Sequence, residues 1–192
     1  MKYYFIFGFM IFSLLFGGCK KEDDVVKGCK DSAADNYVAN ADEEDGSCTY
    51  QKRYLGSYLA DIACQDVFKD AFSQGNMAIN ETIDKTSVNI ILETNIGPLP
   101  VTGKVSRDTL AVDAVLSDIE IELALLNPAF GEGTVLTDIS LKSKMVVSSD
   151  NKNLNGPLEA LIVTKEDVVV FGIPISKGFN VSDSCSISAV KL

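Results

Sequence analysis

Ile119-Glu120-Ile121-Glu122-Leu123 and Ile139-Ser140-Leu141-Lys142-Ser143-Lys144-Met145 alternate apolar and polar side chains one for one. Successive side chains of a strand point to opposite faces, so a period of two describes half-buried strands with one face on a core. Working outward, further β-branched runs lie at Tyr54 to Ile62, Met77 to Ile83, Val88 to Leu92, Val101 to Val105, Leu110 to Leu116, Leu158 to Val163, Val168 to Ile173 and Ser186 to Val190. Turn chemistry separates them, as at Asn95-Ile96-Gly97-Pro98, Gly131-Glu132-Gly133 and Asn155-Gly156-Pro157. About ten short strands over residues 51–192 predict an all-β domain, either an antiparallel barrel or a sandwich. One stretch differs. Cys64, Val67, Phe68, Ala71 and Phe72 fall at helical spacing, so residues 62–73 form either a short helix covering a barrel mouth or sheet face, or a strand and loop.

Composition narrows function. The chain has 192 residues, enough for one domain with appendages, and a net charge of -10. Nucleic acid is not an expected partner, since neutralising phosphates takes clustered Lys and Arg. His is absent, which removes Ser-His-Asp and Cys-His catalysis and every zinc site that needs a His ligand. A hydrolase would have to rely on paired carboxylates. Asp113, Asp118, Glu120, Glu122, Asp138 and Glu159 are available, each also readable as the solvent-facing member of an alternating strand. The expectation is a protein without enzymatic activity.

The N-terminus has its own chemistry. Lys2, the apolar run Tyr3 to Phe16 and the small pair Gly17-Gly18 before Cys19 give the charged, apolar and small-residue regions of a cleavable secretory signal over residues 1–18. Leu14-Leu15-Phe16-Gly17-Gly18-Cys19 resembles the lipobox of bacterial lipoproteins, with Phe16 in place of the usual Leu. The resemblance implies diacylglycerol on Cys19 and a membrane as the first partner; two or three acyl chains anchor durably. Lys20-Lys21-Glu22-Asp23-Asp24, within an acidic tether of residues 19–27, resembles the signal that sends lipoproteins of Bacteroidota-type bacteria to the outer face of the outer membrane.

With Cys19 assigned to lipid, Cys29, Cys48, Cys64 and Cys185 remain. An even number in an exported chain reads as two disulfides, with three pairings open. Their places in sequence favour Cys29 with Cys48, both inside one short acidic segment, residues 28–50. That segment resembles the G-C-x-D-x-x-A-x-N-Y…D-G-S-C-x-Y motif of surface proteins from the same bacterial group, matched by Gly28, Cys29, Asp31, Ala34, Asn36, Tyr37, Ala41, Asp45, Gly46, Ser47, Cys48 and Tyr50. A piece this small needs a cross-link in place of a core. Asp31, Asp35, Asp42 and Asp45 could supply the oxygens that calcium prefers, although their spacing is not that of an EF-hand. Asp31-Ser32-Ala33 and Asp108-Thr109-Leu110 resemble the triplets on which these bacteria place O-glycans.

In the body, Tyr54-Leu55-Gly56-Ser57-Tyr58 near Cys64, together with Ser184-Cys185-Ser186, resembles lipocalin-like domains of small bacterial lipoproteins, with Tyr58 where lipocalins carry Trp. The resemblance implies a Cys64–Cys185 bridge fastening the last strand to the first. Two functions stand beside the hydrolase: a barrel binding a small apolar or amphipathic molecule, or a solid domain whose loops bind a protein or glycan partner.

Overall fold

The computed structural model describes residues 24–65, 68, 69, 71, 72 and 74–192. The signal segment, Cys19 and the first residues of the tether lie outside the described residues. The body is a closed antiparallel barrel of eight strands, which decides between barrel and sandwich.

Two short strands, β1 (Lys27–Gly28) and β2 (Glu43–Glu44), pair in parallel in the N-terminal segment. Seven barrel strands then follow in chain order: β3 (Gly56–Cys64), β4 (Gly75–Glu81), β5 (Ser87–Thr94), β6 (Gly97–Val105), β7 (Thr109–Glu122), β8 (Thr134–Val147) and β9 (Asn153–Thr164). A separate hairpin, β10 (Val168–Val170) with β11 (Ile173–Ile175), interrupts the chain before β12 (Asn180–Lys191) closes the barrel between β9 and β3. Every strand pairs with its sequence neighbour, so only this last junction joins distant segments. Closure removes the exposed edges of an open sheet.

The alternating residues face as their period requires. Ile139, Leu141 and Met145 of β8 are buried and Lys142 and Lys144 exposed. The run Leu110 to Leu116 and the run Ile119 to Leu123, up to Glu122, belong to one strand, β7, with a bulge between Leu116 and Ile119 where Asp118 takes φ 60°. A bulge inserts an unpaired residue and bends the strand without ending it.

The choice left open over residues 62–73 is decided, and one expectation needs correction. Residues 62–64 continue β3, because Ile62 and Cys64 sit opposite Ile187 and Cys185 in register, and that pairing outweighs the helical spacing. The short α-helix among the described residues, α1 (Leu123–Leu126), lies at the end of β7. Beyond Cys64, among the described residues, Phe72 N–H donates to the Phe68 carbonyl at 2.8 Å, a single helical turn; Val67 lies outside the described residues. The run Val168 to Ile173 is likewise a hairpin and not one strand, since Val170 pairs with Ile173 across a turn at Phe171-Gly172.

Both mouths of the barrel are closed by its own side chains. At the end carrying Phe68, Ala71 and Phe72, all fully buried, the two rings meet edge to face at 5.6 Å. Phe68 N–H donates to Asp183 Oδ2 at 3.2 Å, and the Ala71 carbonyl accepts from Asn95 N–H at 3.2 Å, so the loop reaches from β12 to the β5–β6 turn. At the other end Gln51 and Tyr54 fill the opening. The Gln51 amide donates to the Ser87 carbonyl at 2.7 Å, and Tyr54 and Tyr58 donate their hydroxyls to the carbonyls of Ser106 (2.8 Å) and Tyr54 (2.7 Å). Burial of both phenols raises their pKa, that of Tyr58 to about 12.

Candidate functional site

Chemistry was expected first in the acidic segment. Cys29 is bridged to Cys48 and Cys64 to Cys185. The four aspartates do not converge; each is used separately to fix backbone. Asp31 accepts from Ala33 N–H at 2.9 Å and from the Tyr50 hydroxyl at 2.8 Å. Asp35 accepts from Lys52 N–H at 2.9 Å, Asp42 from Val26 N–H at 3.0 Å and Asp45 from Ser47 N–H at 2.9 Å. Such local bonds are what Asp offers turns. They hold the Asp31 and Asp45 carboxyls below their ordinary pKa, the Ala33 bond leading for Asp31 and the Ser47 hydroxyl and amide for Asp45. Among the described residues, the groups of metal-ligating atoms within 4.8 Å of one another are Cys29, Glu44, Cys48 and Cys64, Asp183, Cys185, and in both the sulfurs are already joined as disulfides.

The segment docks on the Tyr54 end of the barrel, where Arg107 Nε lies 3.3 Å from Asp31 Oδ2. Of the two glycan-type triplets, Ser32 is exposed in a turn, whereas Thr109 is half-buried at the start of β7 with Oγ1 2.6 Å from Ser106 Oγ.

The six barrel carboxylates are not assembled into an acid–base pair. Asp113, Asp118, Glu120, Glu122 and Glu159 are exposed on strand outer faces or at the bulge. Asp118 and Asp138 share Lys165, at 2.7 and 3.4 Å. Desolvation raises the Asp138 carboxyl, but bonds from Ser117 and Lys165 outweigh it and leave its pKa lowered, the wrong direction for a general acid at neutral pH. Glu159 lines a polar outer groove of about 610 Å³ with Lys142, Ser182 and Ser184. It sits opposite Lys142 in register, as cross-strand charge pairs do.

The barrel interior is the remaining candidate. A void of about 30 Å³ lies among Met77, Leu92, Leu99, Met145, Leu158 and Ile187. That is room for about one or two waters, whereas small-molecule sites usually measure about 300–1,000 Å³.

The wall is incomplete at one place. β6 and β7 are registered only from Gly103 to Val105 against Val112 to Leu110. Val105 N–H donates toward β5 (Thr86 O, 2.8 Å) and Ser106 N–H toward β7 (Thr109 O, 2.9 Å), so even-numbered positions of β6 face β7. Pro98 and Pro100 fall on that parity and have no N–H to offer, so β6 cannot donate to β7 at those two positions. An outer groove of about 530 Å³ follows, between Ile91, Pro100, Thr102, Asp113 and Val115. Prolines in a strand were the available sequence signal for this seam; nothing in the alternation showed it.

Fold and site define a closed eight-stranded antiparallel barrel with an inner void of about 30 Å³ among the described residues, carrying a disulfide-closed acidic appendage. Comparison with family models, curated proteins and solved structures finds no match for the chain.

Proposed function

We propose that the chain is a lipoprotein anchored through Cys19 at the outer face of the outer membrane, acting as an interaction protein whose solid barrel presents surface features to a protein or glycan partner. The supporting observation is the filled interior: a void of about 30 Å³ behind two mouths closed by buried side chains. The lipobox-like segment and the acidic residues after Cys19 support the anchor and its destination.

One observation favours a carrier as the second reading. The β6–β7 seam exposes the inner-wall residues Val101, Ala114 and Leu116 in part, and Ile90 and Val101 border both the outer groove and the inner void. A single alkyl chain would enter there, with the flexible Met77 and Met145 making way. Titrating the purified mature chain with a fluorescent fatty-acid analogue separates the two. The interaction reading expects no saturable uptake; one probe bound per chain would make the barrel a carrier.

A further inference from the structure

The hairpin of β10 and β11 breaks a local folding rule at its tip. Val170 and Ile173 pair across a two-residue turn in which Phe171 has φ 48° and Gly172 φ 80°. Positive φ at both central residues is the type I′ pattern, which favours Asn, Asp or Gly in the first position. Phe171 has a side chain that resists this conformation and cannot bond to the turn as Asn would. It is also 81% exposed, between Val169 at 72% and Ile173 at 63%. Its ring tip lies over Gly131, where an added Cβ would lie 2.8 Å from Phe171 Cζ. Strain and exposed apolar surface therefore both count against Phe at this site.

The hairpin is nonetheless held firmly. Val170 and Ile175 are buried against the barrel. At its base Asp167 accepts from Lys177 N–H at 2.7 Å, and Thr164 donates its hydroxyl to the Ser176 carbonyl at 3.1 Å. A rigid apolar knob loses little entropy on docking. Local rules broken without internal compensation mark functional positions more often than structural ones.

The place of the knob selects its occupant. The chain enters the described structure at Asp24, beside the acidic segment at the Tyr54 end, and the hairpin stands at the opposite end. Four residues separate Cys19 from Asp24, a reach of at most about 18 Å over five steps of the chain, so an anchor at Cys19 keeps the Tyr54 end next to the bilayer. A second copy would bring together two chains of net charge -10. Exposed Glu132, Glu166 and Asp167 outnumber the exposed Lys177 in the segments that flank the tip. We infer that Phe171, with Val169 and Ile173, is a docking knob for a protein partner offering an apolar socket with a basic rim. This rests on the interaction reading above and names its surface.

Two measurements test it. Phe171→Asn should raise the Tm of the purified mature chain by about 2–4 °C, the shift expected when a strained turn is relieved in a chain of this size; a lower Tm would make Phe171 a structural residue and overturn the inference. In cells, a photoreactive phenylalanine at position 171 should cross-link to one protein that the same probe at Val146, on the barrel wall, does not reach. That protein, purified, should bind the wild-type chain and bind Phe171→Asn at least tenfold more weakly. Equal affinity, an adduct only with lipid or with a second copy, or binding of the unacylated mature chain to phosphatidylethanolamine–phosphatidylglycerol vesicles would each overturn it. Failure is separable from failure of the interaction reading: fatty-acid uptake would change the barrel's role without altering the Tm of Phe171→Asn.

Discussion

Replacing Cys64 and Cys185 together by Ala removes the only covalent tie between the first and last barrel strands. The two are direct cross-strand partners, separated by 121 residues of chain. On the chain-entropy model a closed loop of that length restricts the unfolded state by about 5 kcal/mol, against about 3 kcal/mol for the 19-residue separation of Cys29 and Cys48. The native barrel should survive, because seven registered pairs still join β3 to β12. Its stability should not. Domains of this kind have roughly 5–15 kcal/mol in hand, and with a urea m-value of about 2 kcal/mol per molar the midpoint should fall by about 2.5 M. The chain has no Trp, so far-UV circular dichroism is the suitable probe. Cys29→Ala with Cys48→Ala should leave the barrel's own midpoint almost unchanged, because that loop lies outside the sheet. A C64A/C185A midpoint within about 0.5 M of wild type, or a larger loss from the local pair, would refute the reasoning.

Cys19→Ala should abolish acylation and move the protein from the membrane fraction to the soluble one; mature wild-type protein with an unmodified Cys19 thiol would contradict the anchor. Gln51→Ala should cost about 1–3 kcal/mol, since it removes the buried amide that donates to the Thr82 and Ser87 carbonyls and leaves Ser87 only the Thr82 hydroxyl; an unchanged urea midpoint would show that water replaces it. The lowered pKa values of Asp31 and Asp45 mean that their contribution is present above the ordinary aspartate range and is lost as pH falls through it, below about pH 4. Amide exchange at Ala33 and Ser47 should accordingly accelerate below that pH and not above pH 5, and loosening near neutrality would refute this sign.

Much of the fold was legible because period-two alternation is a local property. Ile139 to Met145 faces as its pattern dictates, and the barrel follows from enough such strands with turns between them. What escaped had non-local or contrary causes. The spacing of Cys64, Phe68, Ala71 and Phe72 suggested a helix, but pairing with β12 claimed residues up to Cys64, and burial of both Phe rings served the barrel mouth without one. The hairpin at Phe171-Gly172 was hidden because a Phe stands where turn chemistry calls for Asn or Asp. Helix α1, Leu123–Leu126, is one turn long with no side-chain cap, and its first residue completes the alternation of β7. The acidic segment was read for its carboxylates, and the structure assigns each to a separate backbone amide. Seam and knob, the features that bear on function, depend on which strands meet and on what stays exposed after folding.

The central claim is that the barrel is solid and works through its surface. Native mass spectrometry of the lipoprotein purified from its own membrane, followed by organic extraction of the folded chain, tests it most directly. The account predicts the mass of the mature polypeptide with acyl chains on Cys19 and nothing released from the barrel. A small apolar molecule recovered at one per chain would contradict it and make the β6–β7 seam the entrance to a binding site.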